Sequence, residues 1–242
     1  FAAMRVQLFV PCFIDQLYPQ TAFSMVKVLE KAGCEVLYNP NQTCCGQPAF
    51  NAGLVKECSS VAKKFVYDFN TADVIVAPSA SCVGFVRNYF PQVFNDTTQK
   101  NEANNIGKRI YEFTEFLTLV LKQDDFDATL NVKATYHDSC AALRECNIKE
   151  GPRKLLANVK GLHLTEMNDN ETCCGFGGTF AVKFEPISVA MAQQKITNAL
   201  ATGAECIIST DSSCLMHIDG VIKKNNTPLK TMHIADVLAS GW

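Results

Sequence analysis

The sequence predicts an α/β protein of two pseudo-equivalent domains that arise from an internal repeat, each a parallel sheet flanked by helices. Three observations point there. Thr43-Cys44-Cys45-Gly46 returns as Thr172-Cys173-Cys174-Gly175. Each pair has a lone cysteine before it and another after it: 31 residues separate Cys12 from Cys44 and 36 separate Cys45 from Cys82, against 32 between Cys140 and Cys173 and 39 between Cys174 and Cys214. Short apolar runs also alternate with helical periodicity in the same order through both parts. The repeat divides the chain into 4–125 and 126–242, each of ordinary domain size.

In the first part, Val6–Val10 reads as a buried strand that delivers Cys12 just past its end, with Pro11 breaking the ladder. Thr21 to Ala32 is amphipathic, with Ala22, Met25, Val26, Leu29 and Ala32 at helical spacing and Gly33 as the stop. Glu35–Tyr38 is a short strand, and the turn Asn39-Pro40-Asn41 leads to Cys44-Cys45-Gly46. Leu54 to Phe69 carries the clearest helical period, through Leu54, Cys58, Val61, Ala62, Phe65, Val66 and Phe69. Asp73–Ala77 is an apolar strand, and Pro78 to Cys82 reads as the loop at its end. Asn95 to Lys108, rich in Asn, Gln and Thr, reads as an irregular surface connection. Arg109 to Leu121 alternates and then turns helical.

The second part repeats that order. Lys133–His137 is a strand that ends at Asp138-Ser139-Cys140. Pro152 suits the first turn of a helix reaching Val159 and ended by Gly161, and Leu162–Met167 is the next strand. A loop from Asn168 leads to Cys173-Cys174-Gly175, and Pro186 opens a helix to about Ala201. Glu205–Ser209 is a strand, and Thr210 to Ser213 carries Cys214. Lys230 to Leu238 mirrors Arg109 to Leu117 as a strand followed by a helix. Ligands of parallel sheets gather outside the carboxyl ends of the strands. Every quartet cysteine follows a predicted strand, so each half can bring four thiols to one edge.

Hydrophobic residues make up 48% of the chain and charged residues 19%, which is ample for a core. A net charge of −2 supports neither nucleic-acid nor anionic-membrane binding. No run approaches the ~18 apolar residues of a membrane span, and the start lacks the features of a secretory signal. Phe1-Ala2-Ala3, ahead of Met4, reads as a cloning scar. The expected location is the cytoplasm, where thiols stay reduced, so twelve cysteines indicate metal or redox chemistry rather than a disulfide framework. No Ser/His/Asp triad, dinucleotide fingerprint or phosphate loop is present, and no residue stands out as catalytic.

Thiolates converging in fours hold zinc or an iron–sulfur cluster. The spacing matches neither zinc ribbons nor the compact ferredoxin run. Two adjacent cysteines are awkward around one tetrahedral ion and easier to place on different metals of a cluster. The glycine after each pair lets the backbone approach the site closely. The plainer alternatives are inert buried thiols and structural disulfides. For Cys34, Cys58, Cys146 and Cys206, core packing is the expected role. His137 is expected to pack or cap beside the site, with a hydrogen bond to a cluster sulfur as the alternative. Asp138 and Asp211 are expected to stabilise turns, and His163 and His233 carry no functional expectation.

Tyr136-His137-Asp138-Ser139-Cys140, Cys173-Cys174-Gly175-Phe176-Gly177-Gly178-Thr179-Phe180 and Asp211-Ser212-Ser213-Cys214-Leu215-Met216-His217 carry a resemblance to a known family. With their first-half counterparts they resemble the cysteine-rich (CCG) domain, found twice in one of the subunits of heterodisulfide reductase, in the iron–sulfur subunit of glycolate oxidase and in lactate-utilization proteins. That resemblance spans essentially the whole chain. It implies an iron–sulfur cluster, of the 4Fe–4S type, at Cys12, Cys44, Cys45 and Cys82 and at Cys140, Cys173, Cys174 and Cys214. It also implies a part in oxidising L-lactate to pyruvate beside two other lactate-utilization proteins. In the heterodisulfide reductase relatives a fifth cysteine closes each motif. Here that position is Phe85 in the first half and His217 in the second, so His217 is an additional candidate ligand and zinc in one half is an alternative. The resulting expectation is an oxidoreductase component that needs partner subunits and passes electrons between them. Its rivals are a disulfide-reducing catalytic subunit and a zinc-stabilised assembly scaffold.

Overall fold

The computed structural model describes residues 3–242; Phe1 and Ala2 of the expected scar lie outside the described residues. The first part runs β1 (Arg5–Leu8), α1 (Cys12–Leu17), α2 (Pro19–Lys31), β2 (Glu35–Tyr38), α3 (Gln47–Asn51), α4 (Val55–Phe69), β3 (Ile75–Ala77), α5 (Ala80–Asn88), α6 (Thr97–Gly107), β4 (Ile110–Glu112) and α7 (Phe113–Glu115), which continues as a π-helical turn over Phe116–Val120. The second part runs β5 (Thr129–Tyr136), α8 (Cys140–Glu145), α9 (Glu150–Ala157), β6 (Lys160–Leu164), α10 (Thr179–Lys183), α11 (Glu185–Ala201), β7 (Cys206–Ser209), α12 (Ser212–Lys224), β8 (Lys230–His233) and α13 (Ile234–Leu238).

Two four-stranded sheets result, ordered β2-β1-β3-β4 and β6-β5-β7-β8, and every pairing in them is parallel. The α/β class and the repeated parallel sheet agree with the sequence pattern. Strands such as β3 and β7 are buried along their whole length and mainly apolar because helices cover both faces. In α2, Met25, Val28 and Leu29 fall at helical spacing and are fully buried, each side chain contributing about 1.5–3 kcal/mol. That helix ends in a Schellman turn, with the Cys34 amide donating to the Leu29 carbonyl.

Several elements differ from the sequence expectation. Residues 97–107 form α6 rather than an irregular connection, because Asp96 accepts a hydrogen bond from the Gln99 amide and Ala103 and Ile106 bury one narrow face. The loops expected at Cys82 and Cys214 are the first turns of α5 and α12. Gly161, expected to end a helix, lies within β6.

The halves share one core. A continuous apolar cluster joins Val6 and Leu8 of β1, Met25 and Val28 of α2, Phe113 and Phe116, Ala134 and Tyr136 of β5, Leu155 of α9, and Ile234 and Val237 of α13. The terminal helices exchange sides. The α13 helix of the second half packs on α2 of the first, where Thr21 Oγ1 donates to Asp236 Oδ2 at 2.8 Å, and α7 packs reciprocally on α9. Glu112 and His233, matched in the repeat, cap α7 and α13. Because His233 Nδ1 accepts from the Ala235 amide, its Nε2 carries the proton and donates to the Pro78 carbonyl in the other half, at 3.1 Å. Separate clusters back the far face of each sheet. Among the described residues, no helix is long and apolar enough to cross a membrane.

Candidate metal centre

The sulfurs reach the sheet edges by two routes. Cys12 and Cys140 open α1 and α8, and Cys82 and Cys214 are the third residues of α5 and α12. Ser79, Ser139 and Asp211 cap three of these helices through side-chain oxygens. Four helix N-termini therefore lie at the thiols, an environment that favours thiolates and anionic ligands.

The remaining sulfurs come from the two Cys-Cys-Gly loops. Gly46 and Gly175 have φ of +91° and +94°. That left-handed turn swings the Gly46 amide back onto Cys44 Sγ at 3.3 Å and the Gly175 amide onto Cys173 Sγ at 3.4 Å. The Phe176 amide reaches Cys174 Sγ at 3.5 Å. Cys12 Sγ lies 3.6 Å from Cys44 Sγ. Thiol contacts then run Cys12–Cys44–Cys45–Cys82 and Cys140–Cys173–Cys174–Cys214. Each half thus gathers the four thiols that lie far apart in the sequence.

One thiolate forms readily in each quartet. Bonds accepted from Cys12 and Cys45, then from the Gly46 amide, pull Cys44 down to about 3. Bonds from Cys140 and Cys174 pull Cys173 to about 2. The neighbours move the other way. Cys12 and Cys140 are raised by the bonds they donate to these thiolates and by burial, and Cys45 and Cys174 are raised by their bonds to both adjacent sulfurs and by burial. A second negative charge among these sulfurs needs a cation, which is the electrostatic demand of a metal site.

The quartets face each other. Ser79 and Asp211 form an isolated bridge across the halves. One oxygen of Asp211 accepts from the Ser81 amide at 2.9 Å, and the other accepts from Ser213 on its own helix. A single carboxylate thereby joins the N-termini of α5 and α12. All eight quartet cysteines line one cavity of about 530 Å³ between the halves. Two sets of four contacting soft donors on one cavity, amide hydrogens on the sulfurs and four helix N-termini fit iron–sulfur clusters or thiolate-bound zinc.

The surroundings are not equivalent. Behind the first quartet, Phe9 packs edge-on against Phe65 and Phe69, and Phe85 is buried among Phe50, Tyr89 and Phe90. Behind the second lie His137, fully buried, and Lys195, whose Nζ donates to the Asp169 and Asn170 carbonyls at 2.5 and 3.1 Å. Burial and then the Lys195 charge push His137 down to about 3, so its ring is neutral. His217 turns aside, its Nε2 3.0 Å from Ser188 Oγ and 3.2 Å from the Ser188 carbonyl. Cys34, Cys58, Cys146 and Cys206 are buried in the apolar clusters; burial pushes Cys146 and Cys206 up to about 12, so they are inert thiols. Sequence reading missed Lys195, whose position in an amphipathic helix resembles any exposed lysine, and the bridging role of Asp211.

The model of the cysteine-rich domain family matches twice, over residues 6–87 and 134–219. Lactate utilization protein A 1 of Bacillus mycoides is 44% identical over 237 residues, covering 97% of this chain and 96% of that protein. Lactate utilization protein A of a Geobacillus species is 44% identical over 238 residues, covering 98% of this chain and all of that protein. Among solved structures, a hypothetical protein from Helicobacter pylori superposes with a TM-score of 0.64 at 11% identity. The likeness covers 98% of this chain but 49% of that one, and at this identity it is a likeness of fold alone.

Proposed function

The chain belongs to the lactate utilization protein A family of cysteine-rich-domain proteins, and we propose that it is the iron–sulfur redox subunit of a cytoplasmic complex oxidising L-lactate to pyruvate. One observation carries the proposal: both thiol quartets open onto a single cavity. Cys12, Cys44, Cys45 and Cys82 would hold one centre, and Cys140, Cys173, Cys174 and Cys214 the other. An iron–sulfur cluster bound by such thiolates takes up and releases single electrons. Oxidation of lactate to pyruvate releases two electrons and two protons, so two centres on one cavity match the electron count. The removal of hydrogen from lactate falls to a partner protein or another cofactor, since the residues around the cavity offer no group built to accept a hydride.

The chain's own contributions are positional and electrostatic. The Gly46, Gly175 and Phe176 amides donate to sulfur and lower the charge density there. Asp211 fixes the two helix N-termini that carry Cys82 and Cys214, which holds the quartets at one separation. The same cavity favours a second reading, in which a disulfide substrate enters between the quartets and is reduced.

The test is anaerobic addition of L-lactate to the complete complex while iron-linked absorbance is followed. Lactate-dependent bleaching that disappears in Cys44→Ser and Cys173→Ser supports the proposal. Electron transfer at the wild-type rate in both variants contradicts it. Turnover with disulfides and not with lactate favours the second reading.

A further inference from the structure

The repeat makes residue 137 the counterpart of residue 9, since each stands three positions before the cysteine that opens its quartet. In the first half that residue is Phe9, which packs into an aromatic cluster. In the second it is His137, an imidazole with no exposed surface. Its backbone is pinned: the amide donates to the Ile208 carbonyl at 2.8 Å, and the carbonyl accepts from Ser209 Oγ at 2.9 Å. The ring, in contrast, has no hydrogen-bond partner at either Nδ1 or Nε2 among the described residues. A buried nitrogen left without a hydrogen bond costs about 1–3 kcal/mol, and this ring leaves two. A ring nitrogen of His137 and the sulfurs of Cys174 and Cys214 all lie within 4.8 Å of one another, and all three residues are buried. The Cys174 and Cys214 thiols touch each other and the imidazole stands beside them without a hydrogen bond to either, an arrangement that suits three donors placed around one ion.

We propose that His137 is a nitrogen donor to the metal of the second half, which is thus a mixed nitrogen–sulfur centre, whereas the first half binds through sulfur alone. Imidazole with thiolate suits a cation of intermediate softness, iron or zinc. Cys173 and Cys140, next along the sulfur chain, complete the donor set. His217, at the position where relatives carry a fifth cysteine, is not the donor, because its ring is held by Ser188. The two centres consequently differ in kind despite the symmetry of their cysteines.

The inference rests on the quartets holding metal, and the test separates the two claims. X-ray absorption is recorded at the iron and zinc edges of the anaerobically purified full chain in a Cys44→Ser background, which removes the first centre. Outer-shell imidazole scattering is expected, with loss in His137→Gln and retention in His217→Gln. His137→Cys should keep the metal and exchange nitrogen scattering for sulfur, which covers the case in which His137→Gln fails to fold. A bound metal with an all-sulfur shell overturns the inference alone, as does imidazole scattering that survives His137→Gln. Absence of metal from the second half overturns both it and the function proposed above.

Discussion

Replacing Gly175 with alanine is expected to cost far more than the same change at its repeat partner, Gly46. Both residues have φ near +90°, where a Cβ crowds the following carbonyl, and that alone costs about 1–2 kcal/mol. The surroundings then separate them. A Cβ on Gly46 would meet Cys58 Sγ at 3.3 Å and Val61 at 3.5 Å, contacts that a small side-chain adjustment relieves. A Cβ on Gly175 would lie 2.5 Å from the Ser188 carbonyl oxygen and 2.9 Å from Met191 Cβ, so the backbone of α11 itself must shift. Overpacking of that kind adds about 1–3 kcal/mol. Gly175→Ala should therefore lose about 2–5 kcal/mol and Gly46→Ala about 1–2 kcal/mol. Urea unfolding of the metal-free chain measures both, provided the denaturant slope stays constant. Equal losses, or a larger loss at Gly46, would refute the assignment of Gly175 as the point where the metal loop rests on α11.

Arg153 makes paired hydrogen bonds to Asp138 at 2.9 and 2.7 Å and a second pair to Glu166, and the Asp138 side chain is almost fully buried. Arg153→Ala should cost about 3–5 kcal/mol in thermal or urea unfolding, because it strands a buried carboxylate next to Cys140; a loss below about 1 kcal/mol would show the pair to be incidental. Burial, opposed by bonds from Thr114 and Glu115, pushes the Glu112 carboxyl from 4.5 up to about 8. Its folded form holds the proton more tightly than its unfolded form, so the stability it supports is complete below 4.5 and lost as pH rises toward 8. Glu112→Gln, which keeps the capping oxygen, should flatten stability against pH across that window relative to wild type, by at most about 5 kcal/mol. Identical profiles for the two proteins would contradict the buried, protonated state of Glu112.

Much of this architecture is written locally in the chain. The helix ending at Phe69 is legible because its burial is one-sided and periodic. The quartets are legible because a duplicated spacing survives whatever lies between the cysteines. The helix from Ala80 is not, since Ala80, Cys82, Val83, Gly84, Phe85 and Val86 are all buried and a helix covered all round shows no period. The Thr97–Gly107 helix was obscured by polar composition, and only Asp96 marked its start. The common core and the exchanged terminal helices were illegible for a different reason: a repeat shows that two units are alike, not that they bury the same face against each other. Likewise, His137, three residues before a cysteine in sequence, looks like any capping residue; only the folded structure shows that both ring nitrogens lack partners among the described residues.

Iron and acid-labile sulfide counted per chain, after anaerobic purification of wild type, Cys44→Ser, Cys173→Ser and Cys58→Ser, test the central claim most directly. Two thiol quartets that each hold a centre predict iron with sulfide in wild type and in Cys58→Ser, and loss of one centre in each of the other two variants. Zinc without sulfide, or equal loss from all three variants, would contradict it.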